Sequence, residues 1–498
     1  MTQIDEPMSA PEPESALRAN ALGASGIAFM VVAAAAPLTV MAGVAPLALA
    51  VGGVGAPVAY LGAGAVFAVF AVGFLAMTRH VGGVGAFYSY ITLGLGKALG
   101  LAAGILAVLS YNAVMIGVYG LMAVQTQAAI ERLLHVHIEW WVLALAAIVV
   151  VLAIGRRGVD VGAKILGVLL VFETAILLVL AFSVLVQGGA DGIEFSSFTP
   201  DAIISPGMGG ILAIAFAAFM GFESTAVYRS EARDPNRTIP RATYCAVGFM
   251  ALFYCFIVWS IVQAFGDRDV QAAAGGDIAG LFFTAIEKYV GLWASDVMSV
   301  LIVTSALASQ IAFHNAINRY TLSLANDGIL PRWLDHTHPV FKSPSRAGLL
   351  QTVVAAVVVS AFALAGADPY YKLLLLLNTP GIIGLLVLQL LTSIAVVAYF
   401  VRKKAVSAER IGVIAAAIGA VLLAGGTALL IKNVELLTLA TGITNVLLVG
   451  SVGVVILAGV AAGMWCRSHR PDVYAAIGGF GAQHEAITTT PHERESQI

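Results

Sequence analysis

Charged side chains are scarce in this sequence. Asp, Glu, Lys and Arg make up 11% of its 498 residues, against roughly 25% in a soluble domain. That excludes an ordinary water-soluble globule, and the 60% of hydrophobic residues makes the chain a polytopic membrane protein instead. The net charge of −2 carries no signal for nucleic acid, and no such partner is expected. Cysteine is scarce too. Cys245, Cys255 and Cys466 lie within or at the ends of apolar runs with no C-x-x-C spacing, so they read as buried small hydrophobes rather than ligands or disulfide partners. The start of the chain, Met1 to Asn20, lacks the basic stretch of a signal peptide. It holds Asp5, Glu6, Glu12 and Glu14 and reads as a disordered tail. The polar piece after Arg467 is expected to be mostly disordered as well. A soluble catalytic domain is also missing: the longest polar connections, 188–206, 267–290 and 323–346, hold no cofactor or nucleotide signature. No cofactor and no metal are expected.

Long apolar runs are what the chain does have. A span needs about 20 residues, and runs ended by charge, Gly or Pro suggest twelve: 24–50, 56–79, 98–128, 139–155, 161–187, 207–229, 242–266, 291–322, 347–366, 371–401, 411–431 and 440–466. With both termini cytoplasmic, only Arg132, Arg268, Lys288, Lys372 and Lys432 fall outside. Such an excess of inward Lys and Arg fixes orientation. The expected location is the cell membrane, with the lipid bilayer as solvent and the oligomeric state open.

Two spans look interrupted at depth, where a broken helix is tolerated only if the freed backbone lines a cavity. Span one carries Ala35-Ala36-Pro37-Leu38-Thr39, and span six carries Gly221 among Phe216, Phe219 and Phe222, just before Glu223. Breaks at corresponding places, five spans apart, point to an inverted-repeat transporter with a midplane site. Pro and Gly are also common in membrane helices as kinks and packing points. A carboxylate at depth costs roughly 2.5–3.5 kcal/mol on insertion scales, which makes Glu223 a functional candidate by default.

The stretch Phe219-Met220-Gly221-Phe222-Glu223, followed by Glu231 and Asp234-Pro235-Asn236-Arg237-Thr238-Ile239-Pro240-Arg241, resembles the sixth helix and following loop of the amino acid–polyamine–organocation (APC) superfamily. Phe313-His314-Asn315-Ala316-Ile317-Asn318-Arg319 with Ala325 to Pro331, and Gly82-Gly83-Val84-Gly85-Ala86-Phe87-Tyr88-Ser89-Tyr90, are further points of resemblance. The resemblance implies an all-α membrane protein with a LeuT-type fold of five-plus-five inverted repeats and two extra helices. The expected division is a tail at 1–20, a first repeat at 21–187, a second at 188–404, two added helices within 405–466 and a tail at 467–498. As a phosphate cradle the Gly82–Gly85 run is weak, since no strand precedes it and the Walker spacing is absent.

For the site, the resemblance implies backbone N–H groups at the span-one break holding a substrate carboxylate. Many members have Gly-Ser-Gly there, whereas this chain has Ala35-Ala36-Pro37, and proline offers no N–H. Either the amides of Leu38, Thr39 and Val40 with the Thr39 hydroxyl take over, or the substrate is not an ordinary α-amino acid. The carbonyls of Phe216, Ala217 and Phe219 are expected to face a substrate ammonium. Alanine at 217 leaves room where an aromatic gate is common, although three aromatics at three-residue spacing also suit packing. Asn112 and Asn378 put hydrogen-bonding groups at pocket depth, equally usable as interhelical glue. Glu173, deep in span five, falls where some members have a lysine in place of a sodium ion. A carboxyl there can take up and release a proton, which makes it the candidate coupling residue. It is alternatively a structural partner of span one or eight, or part of a cation site with Ser305 and Ser309. Glu223 is read as a proton-linked gate or a carboxylate satisfying the freed amides.

The expected function is a secondary active transporter importing an amino acid or related amine, proton-coupled, by alternating access; the alternative is an exchanger without ion coupling. A channel would show a repeated filter and an enzyme a nucleophile–base or metal constellation. Neither is visible in the sequence.

Overall fold

The computed structural model describes residues 17, 20–81, 85–157, 159–205, 207–404 and 409–479. Among them the only β pairing is a single bridge between Leu22 and Ala232. Everything else regular is helix: α1 (Ala24–Ala35), α2 (Pro37–Gly43), α3 (Ala45–Gly52), α4 (Ala56–Thr78), α5 (Phe87–Leu95), α6 (Lys97–Leu134), α7 (Trp140–Gly155), α8 (Val159–Val186), α9 (Pro200–Ile203) and α10 (Met208–Ala218). A 3-10 segment, Phe222–Glu231, leads into α11 (Pro235–Phe265), α12 (Val270–Gly276), α13 (Leu281–Tyr289), α14 (Leu292–Asn326) and α15 (Ser345–Leu364). The last part holds α16 (Leu375–Lys403), entered by a π-turn over Pro369–Leu374, then α17 (Arg410–Lys432), α18 (Val434–Thr438), α19 (Ile443–His469) and α20 (Pro471–Ala476).

Among the described residues, eleven helical stretches are long and apolar enough to cross a bilayer. The remaining expected span, 139–155, is α7, whose 16 residues fall below that length. The protein is therefore an all-helical, multi-pass membrane protein.

The two interruptions lie where the sequence pattern put them. α1 ends because Ala36 turns left-handed, at φ 45°, a conformation that costs an L-residue about 1–2 kcal/mol. Pro37 then opens α2, a position where its missing N–H removes nothing from the helix. In span six, α10 stops at Ala218 and Gly221 adopts φ 115°, a backbone state open mainly to glycine.

The long α6 is the central strut, packed against α14, α16 and α19, while α4 packs against α11 and α17. Close contact needs small side chains where lipid supplies no hydrophobic drive between helices. At Gly459 and Gly463 of α19, an added Cβ would come within 2.5 and 2.7 Å of the Cα atoms of Ala102 and Ala98 on α6.

One end of the bundle is closed by polar contacts. Arg319 of α14 makes a two-pronged ion pair with Glu231, at 2.6 and 2.9 Å, with both side chains almost fully buried. The Arg319 guanidinium also stacks over the Tyr228 ring at 4.8 Å. The chain near Leu22 is pinned alongside, through Leu22 N–H to the Glu231 carbonyl and Arg233 N–H to the Leu22 carbonyl.

Two expectations need correction. Residues 468–479 of the stretch after Arg467 are structured: α19 runs to His469, and the turn after α20 docks on Asp327; residues 480–498 lie outside the described residues. That carboxylate accepts from the Tyr88 hydroxyl at 2.6 Å and from the Gly478 and Gly479 N–H groups at 3.0 and 2.9 Å. Burial pushes the Asp327 carboxyl above the usual carboxylate range. The polar composition that suggested disorder hid Val473 and Ile477, which are buried beneath this turn. The second concerns Cys245, which is exposed, while Cys255 and Cys466 are buried; an apolar run does not by itself say which residues face lipid. Gly82 to Val84, and residues 1–16, lie outside the described residues.

Candidate functional site

Between the two breaks lies a cavity of about 120 Å³. Its walls come from the α1–α2 break (Ala34, Ala35, Ala36, Thr39, Val40), from Ala217, Ala218 and Met220 at the second break, and from Val114 and Val118 of α6. Ser309 and Phe313 of α14 complete one side, and Tyr370, Leu374, Asn378 and Thr379 the other.

At the first break the freed backbone is held by spans five and eight. The Leu38 N–H donates to Glu173 Oε2 at 3.3 Å, and the Thr39 N–H to Ser305 Oγ at 3.4 Å. The Thr39 hydroxyl reaches the Ile302 carbonyl at 3.4 Å, and the Ser309 hydroxyl donates to the Ala34 carbonyl at 2.7 Å. Glu173 is fully buried, and its second oxygen, Oε1, has no hydrogen-bond partner. Neither Glu173 nor Glu223 has an ion-pair partner among the described residues.

At the second break Glu223 folds back on its own turn. Its Oε2 accepts from the Gly221 N–H at 3.0 Å, and its Oε1 from the Tyr111 hydroxyl of α6 at 2.7 Å. The Ser224 hydroxyl donates to the Gly221 carbonyl at 2.6 Å. Each interruption is thus capped by a buried glutamate of the protein itself, which offsets the cost of unpaired amides at depth.

Of the expected site residues, Ala35, Ala36, Thr39, Val40, Ala217, Ser309 and Asn378 come together around the cavity. Leu38, Glu173 and Ser305 lie just behind it, joined to the break by the bonds given. Phe216, Phe219 and Phe222 gather on Phe67 of α4, with ring centroids 5.4, 5.4 and 5.1 Å away; their rings are packing, and Gly221 with Glu223 forms the turn between them. Asn112 donates to the Val108 carbonyl of its own helix at 2.8 Å and does not line the cavity.

Sequence reasoning missed Tyr111, although its neighbour Asn112 was singled out: a tyrosine in an apolar run gives no sign that its hydroxyl will meet a carboxylate 112 positions away. It also missed Met220, Phe313 and Tyr370, which face the cavity. Tyr370 carries the one readable signal, since Asp368-Pro369 starts its turn and the Asp368 carboxylate caps the Tyr370 and Tyr371 N–H groups at 2.8 and 2.7 Å.

Comparison with known proteins adds a family. A family model described as amino acid permease matches residues 22–432. An uncharacterized transporter of Mycobacterium tuberculosis is 30% identical over 232 residues, covering 45% of this chain and 50% of that protein. The histidine permease HisP of Lactococcus lactis is 27% identical over 223 residues, 43% of this chain and 47% of the relative. The low-affinity putrescine importer PlaP of Escherichia coli is 23% identical over 312 residues, 59% and 66% of the two chains. The chain spans about half the length of the first two of these relatives.

Proposed function

Because the chain belongs to the amino acid permease family, we propose that it is a secondary active transporter that imports an amino acid or a related amine across the cell membrane by alternating access, driven by protons. The two breaks, with a cavity between them, support the five-plus-five inverted repeat of 21–187 and 188–404 with the site at the repeat interface. Relatives named for histidine and for putrescine support a substrate among amino acids and amines. The bias of Lys and Arg supports cytoplasmic termini, which makes the Arg319–Glu231 pair the inner closure of the pathway.

The observation that carries the proton reading is Glu173. It is a fully buried carboxyl with one oxygen on the Leu38 amide at the start of α2, the Ser305 side chain beside it, and its Oε1 without a partner at hydrogen-bond distance. Such a group is stable at depth with a proton on the free oxygen, and losing the proton strengthens its hold on the positive end of α2. Protonation is thereby tied to the half-helix that forms the cavity wall, the kind of two-state contact through which an ion can bias alternating access.

Purified protein in liposomes is expected to accumulate substrate when the outside is acidified and to release it when a protonophore collapses the gradient. Uptake that only equilibrates, and that requires substrate on the opposite side, would replace import by exchange.

A further inference from the structure

The anionic end of a substrate needs hydrogen-bond donors, and the two breaks have given theirs away. At the first, Pro37 has no N–H. The Leu38 N–H is given to Glu173 at 3.3 Å, the Thr39 N–H to Ser305 at 3.4 Å, and the Val40 N–H to the Ala36 carbonyl at 2.9 Å. At the second, the Gly221 N–H is given to Glu223 at 3.0 Å. The Thr39, Ser309 and Thr379 hydroxyls each donate to a carbonyl, of Ile302, Ala34 and Leu375. What α1 and α10 bring to the cavity, at Ala34 and Ala35 and at Ala217 and Ala218, are their C-terminal ends. Such ends carry partial negative charge and favour a cation. The side of the cavity formed by the breaks therefore suits an ammonium.

Two side chains on the opposite wall keep donors. Among the described residues the Tyr370 hydroxyl and Asn378 Nδ2 make no hydrogen bond, and neither atom is cut off from solvent. Asn378 Oδ1 is cut off and has no partner, so the amide meets the cavity through its NH2 group. Both residues are held firmly against α6. An added Cβ at Gly117 would lie 3.4 Å from the Asn378 Cβ, and one at Gly120 only 2.4 Å from the Pro369 carbonyl oxygen. The Asp368 carboxylate fixes the turn that carries Tyr370. No Lys or Arg is among the residues that line the cavity, which leaves these two neutral groups to meet an anionic end.

Resting on the transport reading of this site, we propose that Asn378 and Tyr370 determine specificity by holding the carboxylate of an amino acid substrate. The substrate lies with its ammonium toward the two breaks and its carboxylate against the π-turn and α16. Hydrogen bonds to an ionised acceptor are the strong ones, so two neutral donors suffice to select a carboxylate. Turned the other way, the carboxylate would meet amides already bonded to Glu173 and Ser305 and would stay unpaired in a water-poor space, which is unfavourable.

Matched ligands on matched variants test this. The twenty L-amino acids are screened by calorimetry on the full-length purified protein, and the tightest binder is paired with the amine left when its carboxylate is removed, as isoamylamine is for leucine. Wild type, Asn378→Leu and Tyr370→Phe are then titrated with both compounds and assayed for uptake in proteoliposomes. Each variant is expected to bind the amino acid at least about tenfold more weakly, a difference of about 1.4 kcal/mol, and its amine within about twofold of wild type. Tyr370→Phe loses only a hydroxyl, and the amine reports any packing damage in either variant. Amino acid affinity unchanged in both variants, amino acid and amine weakened together, or amines bound and no amino acid, each overturns the proposal while leaving the transport reading intact. Amino acids and amines that are all neither bound nor carried sink both.

Discussion

At the scale of single residues, buried charge is the organising fact. Arg319 and Glu231 are held at 2.6 Å with almost no exposure, so removing one partner leaves the other charge buried and unmatched. Arg319→Met is expected to lower stability by about 3–5 kcal/mol, and adding Glu231→Gln to recover most of it; a double-mutant cycle of thermal or denaturant unfolding in detergent reads this directly. Tyr111→Phe removes the hydroxyl that donates to Glu223 at 2.7 Å and is expected to cost about 1–3 kcal/mol, as leaving a buried acceptor without its donor does. This is also where the sequence was least legible. Glu173 and Glu223 declared themselves, because a carboxylate in an apolar run has few explanations. Tyr111, Met220 and Phe313 did not, because an aromatic or a methionine in such a run looks the same whether it faces a cavity or a neighbouring helix.

At the scale of elements, the breaks decide the architecture. Pro37 and Gly221 were readable in advance because each has a fixed backbone consequence, a missing donor and a permitted left-handed turn. The rings of Phe216, Phe219 and Phe222 were not assignable, since their spacing suits a lid and a packed face equally, and only Phe67 on α4 decides for the face. Gly221 combines φ 115° with an added Cβ only 3.1 Å from the Ala34 Cβ across the break. Gly221→Ala is therefore expected to cost at least about 1–2 kcal/mol and to reduce substrate uptake several-fold, while Gly248→Ala, whose Cβ would meet nothing within 4 Å, leaves both unchanged. Uptake rates and melting temperatures of the two variants check the contrast.

At the scale of the whole molecule, the all-helical, multi-pass character followed from composition, because hydropathy is set by the bilayer rather than by detail. The docking of α20 and its following turn was illegible, since it depends on Asp327 meeting Gly478 and Gly479, about 150 residues on. Truncation after Arg470 strips those donors from a buried carboxylate and uncovers Ile477's seat. It is expected to destabilise the fold by about 1–3 kcal/mol, measurable as a lower melting temperature, with Lys97 also losing its bond to the Ala475 carbonyl.

The central claim is that Glu173 ties proton uptake to the break that forms the substrate cavity. The most direct measurement compares wild-type and Glu173→Gln protein in proteoliposomes, with substrate affinity and proton-driven accumulation read on the same preparations. The glutamine keeps an acceptor for the Leu38 amide, so binding is expected to persist while accumulation under an acidified exterior falls to the level reached without a gradient. Accumulation in Glu173→Gln with the wild-type dependence on the proton gradient would contradict the account.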